Sequence, residues 1–220
     1  MASLFKNSGK VPPTKYPYYE LPNLEQGSDE WRKWRKGVIG ASDAPSIMNE
    51  NRFQSAQYLR DEKLGIKAEF TGNAATREGH LLEEGARKLL VKQFKIDLGP
   101  TVIQDGEVPY FAASLDAIDK THSHVFEIKC GAKAYDMVAS KRDVPTYYYG
   151  QLQHILMVTQ LDKIIYAAYR PHKQLLTLEI GRNDNYISRM RDTEEEFAES
   201  LRSQGHKLQA KFLGKKISRG

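Results

Sequence analysis

Cysteine is almost absent from this chain of 220 residues, because Cys130 is its only example. One cysteine can form neither an internal disulfide nor a cysteine-based zinc site, so a bound metal must take oxygen or histidine ligands. Oxygen ligands favour a hard divalent cation. The sequence also lacks an apolar run near the roughly eighteen residues of a membrane span, and its first residues lack the apolar core of a signal peptide. We therefore expect a cytoplasmic protein with no membrane partner.

Several nucleotide-binding and catalytic signatures are missing as well. The sequence contains no Gly-x4-Gly-Lys-Ser/Thr loop and no Gly-x-Gly-x-x-Gly after a predicted strand, which argues against nucleotide-driven and dinucleotide chemistry. It contains neither His-Glu-x-x-His nor Gly-x-Ser-x-Gly. The six histidines show no metal-ligand spacing, and His122, His124, His80 and His154 are assigned no chemistry.

The positive charge is concentrated in one place. The formal net charge is +5, and the five cations after Gly205, with no acid among them, equal the whole of it. The rest of the chain is balanced, with 28 basic and 28 acidic residues. Composition alone therefore does not establish a nucleic-acid surface, which would have to be a local concentration of charge.

The order of predicted elements indicates the fold class. Helices near the N-terminal end precede mixed strands, a helix, two more strands and a last helix, which favours an α/β core with extra N-terminal helices. Two helices are predicted to begin near the N-terminal end, one at Ser28 and one at Ser42 and Asp43. Further helices are predicted over 56–64, 74–94, 145–158 and 185–203. Strands are predicted over 101–104, 110–113, 117–119, 125–129, 164–169 and 175–180.

Three regions are predicted along the chain. Residues 1–24 hold four of the nine prolines and show little periodicity, so we expect an extended segment that wraps the surface. Residues 25–205 form a single domain. Residues 206–220 form a basic tail with no recognised motif.

The strongest candidate for chemistry combines Asp116, Glu127 and Lys129. Alternate residues of a strand share a face, so Glu127 and Lys129 point the same way while Ile128 enters the apolar layer. If a hairpin places Asp116 beside Glu127, two carboxylates converge as Mg²⁺ ligands, with Lys129 beside the metal. This spacing also arises by chance, and a solvated hairpin face is the alternative interpretation. The apolar flanks of the 125–129 strand favour the metal site, because buried charges need a partner.

Other residues have two open interpretations. Glu83 or Glu84 could complete the ligand set from the long helix, or simply face solvent. Gln151 lies near a tyrosine cluster, at 147–149, which could contact DNA or dock a helix onto the core. Arg35 and Ser42 could bind a phosphate at a helix start, or Ser42 could be an ordinary N-cap.

Taken together, these fragments resemble the phage recombination exonucleases related to lambda exonuclease, also called the YqaJ type, within the PD-(D/E)xK nucleases. The resemblance covers roughly residues 30–160 in five blocks: Trp31 with 35–43, then 79–87, 114–117, 127–130 and 148–159. Leu115 and Ala117 depart from the proline and glycine that the family often has around its aspartate. The departure leaves the ligand carboxylate in place.

The resemblance implies a central mixed β-sheet flanked by helices, with a restriction-endonuclease-like core. It also implies a 5′-to-3′ exonuclease of linear double-stranded DNA, encoded by a phage or prophage, that leaves 3′ single-stranded overhangs. Its partners are other copies in a homotrimeric ring and a single-strand annealing protein. The cofactor is Mg²⁺, as two ions, for which Mn²⁺ can substitute.

The resemblance also assigns roles to individual residues. Asp116, Glu127, the backbone carbonyl of Ile128 and Glu83 bind metal, and Lys129, helped by Gln151, positions the attacking water. The 5′ phosphate is held by Arg35, Ser42 and Ser114, and Arg52 contacts DNA. Two alternatives remain: an endonuclease on the same core, and a non-catalytic DNA-binding protein.

Overall fold

The structure is a computed structural model that describes residues 18–68, 74–213 and 215–217. The chain elements, in order, are β1 (Tyr18–Glu20), α1 (Asp29–Lys36), β2 (Ile39–Gly40), α2 (Ala44–Ile47), α3 (Ala56–Lys63), α4 (Ala74–Phe94), β3 (Leu98–Asp105), β4 (Phe111–Asp119), β5 (Val125–Cys130), α5 (Ala132–Lys141), α6 (Thr146–Thr159), β6 (Lys163–Tyr169), β7 (Leu176–Gly181), α7 (Asp184–Arg202) and β8 (Lys215–Ile217).

One mixed sheet organises these elements. Its strands run in the order β7-β6-β5-β4-β3-β1-β8, and the short β2 pairs with β4. The β5–β6 and β2–β4 pairs are parallel, and the other pairs are antiparallel. This is the mixed sheet flanked by helices that the sequence predicts.

Helices cover both faces of the sheet. On one face, Ala86 and Leu90 of α4 join a cluster with Phe126 and Ile128 of β5. On the other face, α2, α6 and α7 bury a larger core, in which Leu152 and Met190 are fully enclosed. The buried side of α7, the helix predicted over 185–203, contains Ile187, Met190, Phe197 and Leu201. The candidate site therefore lies within a sheet that both layers support.

The strand that carries Asp116 is continuous, which corrects the prediction of two separate strands over 110–113 and 117–119. A polar Ser-Leu-Asp sequence suggests an interruption, but β4 runs through it. The interruption is instead a bulge: Gly99 pairs with Ile118 and Thr101 with Leu115, so two residues of β4 lie opposite one of β3. Bulges bend a strand and redirect side chains, and Asp116 is one of the two bulged residues.

Two terminal segments contribute to the sheet. Tyr18–Glu20, expected to wrap the surface, is instead a strand between β3 and β8, and Tyr18 is fully buried. Lys215–Ile217, from the basic tail, pairs with β1. Pairings between strands this far apart in the chain leave no pattern in the local sequence from which they could be predicted. Residues 1–17 of the predicted extended segment lie outside the described residues, as do residues 214 and 218–220 of the tail.

Helix starts are only partly as predicted. Ser28 caps α1 by accepting a hydrogen bond from the Trp31 N–H. The predicted cap at Ser42 is wrong: Asp43 occupies the cap position without a side-chain capping bond, and the Ser42 hydroxyl contacts Arg35 instead. Helix α5 was not predicted, because Gly131 before it has a φ of 143° and offers no side-chain cap. Within the described residues, no helix has the length and apolar character to cross a membrane.

Candidate active site

The candidate site occupies the place where β4 and β5 separate. The two strands pair at Ala117 with Phe126 and at Ile118 with Val125. Beyond this point Asp116 bridges the gap, since its Oδ2 accepts a hydrogen bond of 2.8 Å from the Ile128 N–H. The sequence expectation that a hairpin brings Asp116 beside the 127–129 segment is thus met.

Glu127 is the most enclosed member of the site, with 1% of its surface exposed. Its Oε1 accepts hydrogen bonds from Lys129 Nζ and from Gln151 Nε2, the latter at 2.6 Å. The Lys129 ammonium also lies 4.9 Å from the centre of the Tyr148 ring. As the strand alternation predicts, Ile128 between them is buried in the apolar layer. Helix α6 therefore supplies two residues that hold the charged pair.

The site holds more negative charge than its lysine neutralises. Burial, followed by the charge of Glu127, raises the pKa of Asp116 well above its ordinary value. Burial also raises the pKa of Glu127, although Lys129 opposes the shift. Burial acts to lower the pKa of Lys129, but the two carboxylates outweigh it and raise that pKa. These shifts are those of a site suited to an additional cation.

Glu83 rather than Glu84 faces this region. Glu84 is exposed and pairs with Lys88. Glu83 Oε1 accepts a hydrogen bond of 2.7 Å from Arg87, whose Nε donates to the Asp116 carbonyl at 2.8 Å. Arg87 was not singled out from the sequence, although its position four residues after Glu83 is a signal for such a pair.

The Glu83 carboxylate is held by its own neighbours. Arg87 and His80 both engage it, and its charge also acts on Asp116 and Glu127. In the described part of the chain, no three side chains of His, Cys, Asp or Glu form a group that could hold a metal ion. Asp116 and Glu127 remain as the two carboxylates that the strands bring together.

These two carboxylates fit a hard divalent cation. Glu127 Oε2 is buried and, among the described residues, has no hydrogen-bond partner. A buried carboxylate oxygen without a partner is costly unless a ligand occupies its free position. Asp116, Glu127 and the Ile128 carbonyl offer oxygen donors, which are the ligands that Mg²⁺ prefers.

A second group of residues surrounds Arg35. Its NH2 donates to the Ser42 hydroxyl at 2.6 Å and lies 3.4 Å from the Asp43 carboxylate. Asp43 is almost fully buried and also pairs with Lys63 at 2.9 Å. These residues border a cavity of about 220 Å³. The pocket offers the cations of Arg35, Lys36 and Lys63 and the Ser42 hydroxyl to an anion such as a phosphate, and the carboxylates of Asp43 and Glu62 also line it.

Trp31 connects this pocket to the sheet. Its Nε1 donates to the Ser114 hydroxyl at 2.9 Å, and the Arg35 guanidinium lies 5.2 Å from the centre of its ring. The structure thus brings Arg35, Ser42 and Ser114 into one neighbourhood, with Ser114 two residues before Asp116. Trp31 is the link that sequence reasoning missed, because its partner is 83 residues away.

A groove of about 1070 Å³ begins beside the Arg35 pocket and reaches Arg87, whose Nε donates to the Asp116 carbonyl. It extends from Trp31 and Arg35 to Glu83 and Arg87, and residues 21–27 form one of its walls. Four arginines line it: Arg32, Arg35, Arg77 and Arg87. A groove with this lining is suited to a polyanion.

Arg52 lies on another side of the site. Its guanidinium lies 4.7 Å from the Phe53 ring centre and 4.9 Å from that of Tyr147. Tyr147 adjoins Tyr148, whose ring contacts Lys129. Arg52 is therefore connected to Lys129 of the candidate site through aromatic rings.

The mixed sheet, with two carboxylates and a lysine on adjacent strands, is of the PD-(D/E)xK type. In a comparison with protein families, the family model described as "YqaJ-like viral recombinase domain" matches residues 30–162 of this chain. The chain belongs to this family. It is also 27% identical over 185 residues to the uncharacterized protein YqaJ of Bacillus subtilis (strain 168). That match covers 80% of this chain and 56% of the relative, so the chain spans little more than half of the relative's length.

Solved structures share the fold. The alkaline exonuclease LHK-Exo of Laribacter hongkongensis superposes with a TM-score of 0.70 at 21% identity, covering 80% of this chain and 94% of that one. LHK-Exo in complex with dAMP gives the same TM-score at 22% identity, with the same coverage. A phage-related exonuclease from Haemophilus somnus 129PT gives 0.56 at 14% identity, covering 76% and 96%. At these identities the likeness establishes the fold.

Proposed function

We propose that this chain is a magnesium-dependent deoxyribonuclease that digests the 5′-phosphorylated strand of linear double-stranded DNA in the 5′-to-3′ direction. The product is a duplex with 3′ single-stranded overhangs, which serve phage-type recombination by strand annealing. The observation that carries this proposal is the arginine-lined groove that runs from Arg35 to Glu83 and Arg87, of which Arg87 donates to the Asp116 carbonyl. Family membership and the fold shared with alkaline and phage-related exonucleases support it.

The Arg35 pocket favours an end-directed enzyme. A terminal phosphate carries more charge than an internal phosphodiester, so a pocket with Arg35 and the Ser42 hydroxyl binds a chain end preferentially. Ser114, which Trp31 contacts, is two residues from Asp116 on the same strand. We propose that one nucleotide spans the interval from the pocket to Asp116. A 5′ phosphate in the pocket therefore places the next phosphodiester near Asp116 and Glu127.

The roles within the site follow from its hydrogen bonds. Lys129, fixed by the Glu127 carboxylate and the Tyr148 ring, orients the attacking water and neutralises charge on the phosphate. Gln151 holds Glu127 in place. Asp116 and Glu127, with the Ile128 carbonyl and with Glu83 nearby, would hold Mg²⁺. When bound, Mg²⁺ stabilises the negative charge of the transition state, and Mn²⁺ is expected to replace it.

The bond changes explain why digestion can continue. Water adds to phosphorus while the bond from phosphorus to the 3′ oxygen of the terminal nucleotide breaks, and that oxygen takes up a proton. The released product is a nucleoside 5′-monophosphate only if the terminal nucleotide already carried a 5′ phosphate. The newly incorporated oxygen remains on the next nucleotide, whose 5′ phosphate can then enter the Arg35 pocket.

The test compares linear duplexes with a 5′ phosphate or a 5′ hydroxyl and a closed circle, each with Mg²⁺, with Mn²⁺ and with chelator. We expect progressive loss of the strand that bears the 5′ phosphate, slower loss from the hydroxyl end, and no cutting of the circle. Internal cuts in the circle would favour an endonuclease. Absence of any cleavage with either metal would favour a non-catalytic DNA-binding protein.

Assembly is part of the same proposal, and it is supported by family membership alone. We expect a homotrimeric ring that encloses DNA, with a single-strand annealing protein as partner, in the cytoplasm of a bacterial host. Sedimentation equilibrium should give three times the chain mass of 25.1 kDa. A monomer at micromolar concentration would contradict the ring.

A further inference from the structure

Phe53 is unusually exposed for its residue type. It is 70% exposed, whereas phenylalanine side chains are usually buried. The loop that carries it is held firmly: Asn51 Oδ1 accepts a hydrogen bond of 2.9 Å from the Phe53 N–H, and Asn51 Nδ2 donates to the Ser46 hydroxyl at 3.0 Å. The ring is therefore presented to solvent by a defined backbone.

Phe53 belongs to a small cluster with Arg52 and Tyr147, which we call the aromatic platform. The two rings meet edge to face with centroids 5.6 Å apart. The Arg52 guanidinium lies within 5 Å of both ring centres. A guanidinium over two rings fixes their arrangement and adds a positive charge next to an apolar surface.

The aromatic platform is continuous with the catalytic region. Tyr147 and Tyr148 have centroids 4.6 Å apart, and the Tyr148 ring centre is 4.9 Å from Lys129 Nζ. Only these two tyrosines separate Phe53 from the lysine of the proposed site. A molecule that reaches Lys129 is therefore close enough for one of its parts to lie against the platform.

We propose that the aromatic platform of Arg52, Phe53 and Tyr147 is a base-stacking subsite, in which an unpaired nucleobase next to the scissile phosphate lies on the exposed Phe53 ring. This inference rests on the proposed function, because the ligand is the DNA that the site cleaves. Every base has a π face, so the subsite accepts all sequences, as digestion along a strand of any sequence requires. Arg52 attracts the phosphate that adjoins the stacked base.

The test uses Phe53→Ala, Phe53→Trp and Phe212→Ala. Phe53 is too exposed to contribute much to the core, so its replacement should leave the fold intact. Phe212 is 40% exposed and stacks on Tyr19, which lies on β1, away from the proposed site, so it is a matched control. KM and kcat are measured on a 5′-phosphorylated linear duplex for each variant.

A fluorescence measurement reports stacking directly. Lys129→Ala, with and without Phe53→Ala, is titrated with a duplex that carries 2-aminopurine as the 5′-terminal or the next base. The fluorescence of this base rises when it unstacks. We expect Phe53→Ala to raise KM by at least about fivefold and to give a brighter bound state. Phe53→Trp should retain wild-type behaviour, and Phe212→Ala should have no effect.

The outcomes separate the two proposals. If the wild-type protein digests the duplex while Phe53→Ala changes neither KM nor the fluorescence, the stacking inference is overturned and the nuclease function stands. If Phe53→Ala alters the solution mass but not the DNA affinity, the residue serves a contact between copies, and the inference is again overturned. A wild-type protein that neither binds nor cleaves linear duplexes refutes the proposed function itself.

Discussion

The indole Nε1 of Trp31 donates a hydrogen bond of 2.9 Å to the hydroxyl of Ser114, two residues before Asp116 on strand β4. The same indole ring lies 5.2 Å from the Arg35 guanidinium. Trp31 therefore fixes the proposed phosphate pocket relative to the carboxylate site. Under the proposed function, the separation between the two regions would decide which phosphodiester is presented for cleavage, and Trp31 would act through the residues that it positions.

Replacing Trp31 with Phe tests this relationship. The variant keeps an aromatic ring beneath Arg35 but removes the hydrogen bond to Ser114. We expect the preference for a 5′ phosphate over a 5′ hydroxyl, measured as the ratio of kcat/KM values, to fall about fivefold, since a hydrogen bond contributes about 1 kcal/mol.

Trp34 on the same helix provides the control. Its Nε1 is buried and has no hydrogen-bond partner among the described residues, so Trp34→Phe removes an indole N–H that makes no such contact. The phosphate preference of this variant should match that of the wild-type protein. Equal effects of the two substitutions would show that Trp31 contributes only to helix packing.

The contrast between Trp31 and Glu127 shows what the sequence could predict. Glu127, Ile128 and Lys129 follow a period of two within an apolar run, and this local pattern sufficed to place the charged pair on one face. The partner of Trp31 is 83 residues away, and no local pattern encodes that distance. The family resemblance assigned Ser114 to the phosphate but did not identify the indole that holds it.

The bulge at Asp116 illustrates a different limit. The sequence 114–116 was expected to interrupt the sheet, but pairing with β3 on one side carries the strand through. Similarly, Ser42 has the residue type of an N-cap, yet the cation of Arg35 takes its hydroxyl. In both places a tertiary partner overrides the local propensity. The fold class, by contrast, depends on element order, and the sequence predicted it.

Asp116→Asn should separate metal binding from folding. The charge of the buried Glu127 acts on the partly buried Asp116, so removing one charge should raise the free energy of unfolding, measured without metal, by about 0.5–2 kcal/mol. Cleavage should fall at least about a hundredfold. In thermal unfolding, Mg²⁺ should raise the Tm of the wild-type protein but not that of the variant.

Glu84→Gln is the matched control for this experiment. Glu84 is an exposed carboxylate that pairs with Lys88 on the surface of α4. Its replacement should leave both the Mg²⁺-dependent shift in Tm and the cleavage rate unchanged. An Asp116→Asn protein that still gains stability from Mg²⁺ would remove Asp116 from the ligand set.

Lys63 is expected to stabilise the proposed phosphate pocket through its ion pair with Asp43. Its ammonium donates to the Val38 carbonyl at 2.7 Å and pairs with the buried carboxylate of Asp43. Lys63→Met leaves that carboxylate with Arg35 as its remaining cation, so we expect a loss of about 3–5 kcal/mol in the free energy of unfolding, measured with urea. The double variant Asp43→Asn, Lys63→Met should recover part of this loss.

A surface pair gives the comparison for Lys63. Lys163 and Glu179 lie 2.8 Å apart but are both more than half exposed. Exposed pairs contribute about 0–1 kcal/mol, so Lys163→Met should change stability by less than that. If Lys63→Met has an equally small effect, the buried pair with Asp43 does not hold the pocket together.

The buried pair of His154 and Glu194 should make stability depend on pH. His154 Nδ1 lies 2.8 Å from the Glu194 carboxylate, and its Nε2 lies 3.1 Å from the Ala112 carbonyl. Burial disfavours the charged imidazole, but Glu194, with a contribution from Asp43, outweighs this and raises the pKa of His154 above 6.5. Burial raises the pKa of Glu194 as well, although His154 and Arg191 oppose the shift.

The sign of the effect follows from the raised pKa of His154. A group whose pKa is higher in the folded state stabilises the fold fully below its unfolded value, and this contribution is lost as pH rises through the folded value. As pH rises above the ordinary histidine pKa of about 6.5, the free energy of unfolding of the wild-type protein should therefore fall relative to that of His154→Gln. Urea titrations of both proteins across this range measure the difference. A difference that grows with pH would mean that the imidazole is neutral in the folded protein, and that Glu194 is held by another group.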